Sequence, residues 1–388
     1  MTVQLDGIAY RFVSADDHVQ EHPTVWTDRL SGTRWGERVP HLEEEPDGSQ
    51  TWVVDGRRTR LGSWPWRPVA SREPDPVRRW EDLPAAAYDP ARRLEAMDAD
   101  GVDVSVLYPT VAGLAGETFG RITDPELELA CVRAYNDWLV EEWASASPRF
   151  VPLCLVPLHP VEAAVAELER AVAAGHRGLV YPALPMFLRD VPELSEPDHG
   201  ALFQACASLG VPVSFHSGCT PLIQAPPYDG FPSALAEAFE GVNRPFSSAL
   251  VLANLLLSQM LVPHPELRVV LPEDSVGWGG FTLETMDYLV QVDRLNIDTY
   301  TLLPSEVFSR QCYFVGGYER LQPASEGLLP RGQVLWATSF PLATSTWPDT
   351  EQVLASSLEG VPDADRRRVL AENAAGLYRL EAQPSAEG

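Results

Sequence analysis

The alternation of short apolar runs with amphipathic stretches predicts an α/β protein: a single (β/α)8 TIM barrel over residues 1–388, with a long irregular insertion at 22–88 after the first strand. Three observations predict it. Eight short apolar runs recur along the chain, most of them separated by helical patterns. The runs are continuous in Val and Leu, as in strands buried on both faces. Alternation of this kind makes a parallel sheet, and eight units suffice to close one into a barrel. A doubly wound open sheet is the alternative, but no Gly-rich phosphate turn follows any early strand.

The first strand is expected at 11–15, and it runs directly into Asp16, Asp17 and His18. Side chains two apart in extended backbone share a face, so Asp16 and His18 point one way and Asp17 the other. A carboxylate and an imidazole side by side at a strand end can hold a divalent cation or relay a proton; the plainer reading is a polar turn that contains a histidine. The insertion carries Trp26, Trp35, Trp52, Trp64, Trp66 and Trp80 among many Pro, Gly and Arg residues. It is too aromatic for disorder and is expected to pack as a lid, a subunit contact or a surface excursion.

From residue 89 the rhythm is regular. Helix 91–101 ends at Gly101 and leads to strand 102–109; helix 124–147 leads to strand 150–157. Helix 161–174, closed by Gly175, leads to strand 177–181, and helix 199–209, closed by Gly210, to strand 211–215. Helix 246–261 precedes strand 267–271, and helix 280–295 precedes strand 312–315. The eighth strand is 334–337, with helices near 350–358 and 363–378 after it.

A net charge of -26 and a pI near 4.6 argue against nucleic acid and anionic membranes as partners, because a basic patch would sit in a strongly negative field. A small substrate sees only its own pocket. The most apolar run, 249–262, is broken by Asn254, Ser258 and Gln259 and reads as a buried helix, not a bilayer span. The opening MTVQLDGIAY has neither a basic nor an apolar leader region, and Cys131, Cys154, Cys206, Cys219 and Cys312 are odd in number and widely spaced. Both features predict a cytoplasmic protein with reduced thiols.

In a parallel barrel, reactive groups gather where strands end. Strand one delivers Asp16, Asp17 and His18, strand five His216, strand six Glu273 and Asp274, and strand eight Thr338 and Ser339. Taken singly, His216 reads as a core histidine, and Glu273 with Asp274 as a helix cap. Taken together they are ligand and acid/base types at one rim. Tyr108, Tyr181 and Arg177 lie near other strand ends, as substrate contacts or as packing residues.

The stretches SADDHVQEHPTVW (14–26), YDPARRLEAMDADGVDVSVLYPT (88–110), YNDWL (135–139), RFVPLCLVPL (149–158), LGVPVSFHSG (209–218), LRVVLPEDSVGW (267–278), VLWATSFP (334–341) and ENAAGLYRL (372–380) carry a resemblance over nearly the whole chain. The chain resembles the amidohydrolase superfamily, in the branch of aminocarboxymuconate-semialdehyde decarboxylase and related metal-dependent barrels. The resemblance implies one divalent ion, zinc or manganese, held from strands one, five and eight at positions that fall here on Asp16, His18, His216 and Ser339. The strand-six group, an acid/base or substrate contact in the family, falls on Glu273. A small-molecule substrate and a homodimer are implied as well.

The chain departs from the family at strand eight, where Trp-Gly-Ser-Asp-Phe/Tyr-Pro-His reads WATSFPL: the aspartate is Ser339 and the trailing histidine Leu342. A serine hydroxyl is a poor zinc ligand and cannot act as the carboxylate base for a bound water. The expected site therefore has Asp16, His18 and His216 as metal ligands and Glu273, His216 and Asp16 in acid/base roles. Ser339, Asp274 and Tyr181 are expected on the substrate, and a metal-free site is the alternative. The expected reaction is decarboxylase-, lyase-, isomerase- or cyclase-like, on a small carboxylated or cyclic substrate. A metal-dependent hydrolase, and a barrel that binds or assembles without catalysis, are the competing readings.

Overall fold

Runs of Val, Leu and Phe without polar interruption gain most from a sheet covered on both faces, and the computed structural model puts eight of them in one. It describes residues 3–5, 8–60, 77–216, 233–272, 275–292, 300–321, 329–342 and 344–380. The strands are β1 (Val13–His18), β2 (Val104–Tyr108), β3 (Phe150–Cys154), β4 (Gly178–Pro182), β5 (Val213–His216), β6 (Val269–Leu271), β7 (Cys312–Gly316) and β8 (Val334–Trp336). Each pairs in parallel with the next, in chain order. Every strand residue is buried except the half-buried Tyr313. The sheet's two edges meet through the main chain: the Ser339 N–H donates to the Asp16 carbonyl (3.1 Å) and the His18 N–H to the Phe340 carbonyl (2.6 Å). The architecture is a (β/α)8 barrel.

The helices between strands are α1 (Pro90–Asp100), α2 (Pro125–Trp138), α3 (Val161–Ala174), α4 (Gly200–Leu209), α5 (Ser233–Leu257), α6 (Gly277–Val292) and α7 (Pro304–Gln311). Local chemistry fixes several ends. Asp89 accepts from the Ala91 and Arg92 N–H groups ahead of Pro90, and Asp124 accepts from Glu126 and Leu127 ahead of Pro125. Gly101 closes α1 in the left-handed region, at φ 76°. After β8 come α8 (Thr350–Ser357) and a helical run over 363–377. No helix among the described residues is long and apolar enough to cross a membrane.

Four local expectations change. β1 starts at Val13 and extends through His18, so both acids and the histidine are strand residues rather than a turn. α5 begins at Ser233, well before residue 246, and runs through Pro245. α7, directly before β7, has no counterpart in the sequence reading. The insertion is not irregular throughout: His41–Glu44, Gln50–Val54 and Arg57–Arg60 form an antiparallel sheet. Its second hairpin turns on Asp55 and Gly56, both at positive φ (49° and 73°), which is the two-residue turn that an Asp-Gly pair favours. This sheet docks through Trp52, fully buried edge-on against Trp26 (5.6 Å), which in turn packs edge-on against Phe119 (5.6 Å). Trp64 and Trp66 lie outside the described residues.

Candidate metal centre

The ends of β1 and β5, half a barrel apart in strand order, bring three polar side chains to one point inside the rim. Asp16 and His18 share a face of β1, and His216 is the last residue of β5. His18 Nε2 lies 3.4 Å and His216 Nε2 3.8 Å from Asp16 Oδ1, and one ligand atom from each residue falls within 4.8 Å of the others. All three side chains are fully buried. The imidazoles meet edge to face at 5.2 Å, and each lies under 6 Å from the Tyr108 ring.

The donor set fits a divalent cation. Donors bound to one ion at about 2.1 Å stand roughly 3.4 Å apart at a tetrahedral angle and roughly 3.0 to 4.2 Å apart around an octahedron. One carboxylate and two imidazoles suit zinc, manganese or iron(II). The tautomer agrees: His18 Nδ1 donates to the Pro109 carbonyl at 2.8 Å, which leaves the Nε2 lone pair towards Asp16.

Asp17 faces away from this cluster and does different work. Its Oδ1 accepts from Ser14 Oγ (2.8 Å), Thr338 Oγ1 (2.6 Å) and the Phe340 N–H (3.2 Å), and its Oδ2 accepts from Ser105 Oγ (2.5 Å). One carboxylate thus joins β1, β2 and the segment after β8, beside the seam where the barrel closes. Arg93, only 2% exposed, reaches the same region from α1. Its Nη2 donates to the His18 carbonyl and its Nε to the Ala86 carbonyl, both at 2.6 Å, and its guanidinium lies over the Phe340 ring at 4.4 Å. Burial lowers the Arg93 pKa to about 10, against the opposing pull of Asp17. Glu21 holds the chain after β2 through the Thr110 and Val111 N–H groups (3.2 and 2.8 Å). Burial pushes its carboxyl up to about 7 in spite of those bonds.

The other expected site residues are distributed differently. Ser339 adjoins the cluster through its main chain, and it lines a cavity with Ser275, Gly317, Glu319 and Thr346. Its φ of 55° is a left-handed conformation more usual for Asn, Asp or Gly than for serine. Tyr181 turns outward into the helix layer, where its hydroxyl is 3.4 Å from His199 Nδ1 and its ring packs on Phe215. Glu273 and Asp274 lie outside the described residues.

Three residues here were not anticipated. Arg93 could have been suspected, because with Met97 and Asp100 it occupies the buried stripe of α1, where a charge needs a partner. Glu319 clasps two loops, accepting from the Val276 N–H (2.7 Å) and the Gly317 N–H (3.1 Å). Neither its loop position nor that of Glu21 gave a signal in the sequence.

The model of the amidohydrolase family matches residues 49–293. Gamma-resorcylate decarboxylase of Rhizobium sp. (strain MTP-10005) is 24% identical over 326 residues, covering 78% of this chain and 91% of the relative. Among solved structures, an amidohydrolase from Mycobacterium avium subsp. paratuberculosis K-10 superimposes with a TM-score of 0.76 at 18% identity, over 97% of this chain and 100% of that one. A dihydroxybenzoic acid decarboxylase from Polaromonas sp. JS666, solved with bound manganese and the inhibitor 2-nitroresorcinol, gives 0.65 at 16% identity, over 98% and 100%. With well over half of its length matched by the family model, on a barrel of the same architecture, the chain belongs to the amidohydrolase family and is an enzyme of that type.

Proposed function

We propose that this enzyme decarboxylates a small hydroxylated aromatic acid, with Asp16, His18 and His216 holding one divalent ion, manganese first among the candidates. The observation that carries the proposal is the buried carboxylate–imidazole–imidazole cluster at the strand ends. The Rhizobium relative is a decarboxylase by name, and the Polaromonas structure holds manganese. An ion held by these donors would supply Lewis acidity towards the substrate's oxygens.

The chain's own residues do the rest. Asp16 contributes the negative charge of the donor set, and the Pro109 carbonyl keeps His18 in the tautomer that presents Nε2. The complete burial of the cluster keeps bulk water from the ring carbon as charge builds on it, and it strengthens each electrostatic contact. Glu273, two residues beyond the end of β6, is assigned the proton transfer. As the ring–carboxylate bond breaks, its electron pair stays on the ring carbon, Glu273 protonates that carbon, and carbon dioxide leaves. Solvent then returns the proton to Glu273, so each turnover consumes one. Ser339 and Asp274 are assigned to hold the substrate's polar edge. Tyr181, engaged with His199, takes no part.

The test is to load the full chain with manganese and measure carbon dioxide release from gamma-resorcylate, isomeric dihydroxybenzoates and plain benzoate. The expected result is turnover of an ortho-hydroxylated acid, none of benzoate, and a loss of at least 100-fold in Glu273→Gln. No release from any acid, or hydrolysis of an ester or amide in its place, would contradict the proposal.

A further inference from the structure

An imidazole turns about its side-chain torsions, so a site built on two of them holds an ion only as well as the surroundings fix both rings. Three side-chain donors converge among the described residues, against the roughly four to six ligands that zinc or manganese takes. Little is left to correct a ring that has turned. The Pro109 carbonyl holds His18 through Nδ1. Tyr108, the residue before that proline, packs against both imidazoles. Its ring centre stands 5.6 Å from that of His18 and 5.7 Å from that of His216, and the two imidazoles are 5.2 Å apart. The three rings close a triangle of tilted and edge-on contacts, at 41°, 62° and 78°, in which each ring limits the rotation of the next.

The Tyr108 ring is itself fixed by its hydroxyl. Oη donates to Ser214 Oγ at 2.9 Å, and both residues are fully buried. Ser214 stands two residues before His216 on β5, so the two side chains share a face of that strand. Tyr108 ends β2, and β3 and β4 lie between β2 and β5 in the sheet. The bond therefore crosses the barrel interior and ties β2 to the strand that carries His216, which no strand pairing does. The Tyr378 hydroxyl, from the end of the last helical run, is buried beside the pair. Packing alone calls for neither hydroxyl, because phenylalanine and alanine would fill the same space without burying two polar groups.

We infer that Tyr108 is a positioning residue of the ion site: anchored on Ser214 across the barrel, its ring sets both imidazoles at the orientation in which they meet Asp16. The inference rests on the reading of this cluster as an ion site. Tyr108 acts through His18 and His216 and supplies no donor of its own.

The test is titration of the metal-free full chain with manganese, followed by paramagnetic resonance, which gives the free fraction and the spectrum of the bound ion. Tyr108→Phe keeps the ring and loses the bond, and Ser214→Ala loses the same bond from its other end. Each should weaken binding about 10-fold and broaden the bound-ion spectrum, and the double variant should lose no more than either alone. Tyr108→Leu, without the ring, should weaken binding roughly 100-fold. Tyr181→Phe, at a buried hydroxyl beside His199, should leave affinity and spectrum unchanged. Circular dichroism checks each fold, and Ser214→Ala carries the test if Tyr108→Phe does not fold. One ion bound by the parent and bound identically by Tyr108→Phe and Ser214→Ala, whatever their thermal midpoints, would overturn the inference alone. So would losses that add in the double variant. A parent that binds no ion would overturn the ion site and the inference together.

Discussion

Asp16 and Asp17 are neighbours in the chain, yet substituting them should produce opposite kinds of damage. Asp17 accepts four hydrogen bonds from Ser14, Ser105, Thr338 and Phe340. In Asp17→Asn the amide NH2, which cannot accept, must face one or more of these donors, at a cost of about 2 to 4 kcal/mol. Asp16→Asn removes the only negative charge in the proposed donor set and leaves the four bonds accepted by Asp17 in place. The expected outcome is a clear fall in thermal midpoint for Asp17→Asn, and for Asp16→Asn a nearly unchanged midpoint with loss of ion binding. Equal loss of stability in both variants would contradict the division of labour. The strand period made the divergence of these two acids legible, and His216 was legible because it ends a strand. Tyr181 was not, since its direction depends on which side of β4 faces the helices, and a run apolar on both faces carries no such mark.

At the level of elements, α1 and β1 are coupled through one side chain. Arg93 ties the carbonyl of His18 to the segment ahead of its own helix and lies against Phe340, whose carbonyl accepts the His18 N–H. The backbone of a proposed ligand is thus gripped from both sides. Arg93→Met should destabilise the chain by about 2 to 4 kcal/mol, having lost two charged hydrogen bonds, and weaken ion binding at least tenfold. Arg93→Lys should recover part of the ion affinity, measured by titration on protein shown folded by circular dichroism. Affinity unaltered in Arg93→Met would remove its positioning role. The glycine stops at Gly101, Gly175 and Gly210 could be read in advance. α5 could not, because Gly241 and Pro245 are stop signals that its packing overrides. The small sheet of the insertion was missed although the Asp55-Gly56 pair marks its turn, because the surrounding Pro and Trp residues hid strands of only four or five residues.

Across the whole molecule, buried carboxyls set the response to pH. Burial raises Glu21 and Glu128 from 4.5 to about 7, the latter despite its ion pair with Arg189, and raises Asp100 from 3.8 to about 6. A carboxyl held above its unfolded value binds its proton more tightly in the fold. The stability it contributes is therefore complete below about pH 4 and is lost as pH rises through 6 to 7. The urea midpoint should be higher at pH 5.5 than at pH 8, with a smaller difference in Glu21→Gln; a midpoint that rises over this range would contradict it. The acidic surface acts in the same direction, as its repulsion grows while these groups ionise. The barrel itself was legible from eight apolar runs, because a two-sided sheet writes its burial into composition. The grouping of Asp16, His18 and His216 was legible from their places at strand ends, whereas the residues that brace them, Arg93 and Glu21, come from other segments and were not. The claim on which the functional account rests is that Asp16, His18 and His216 form one ion site, and titration of metal-free protein with manganese, followed by the paramagnetic resonance of the free ion, tests it most directly. The prediction is one ion per chain in the parent protein, with affinity reduced at least 100-fold in His216→Ala; no saturable binding, or binding untouched by that substitution, would contradict it.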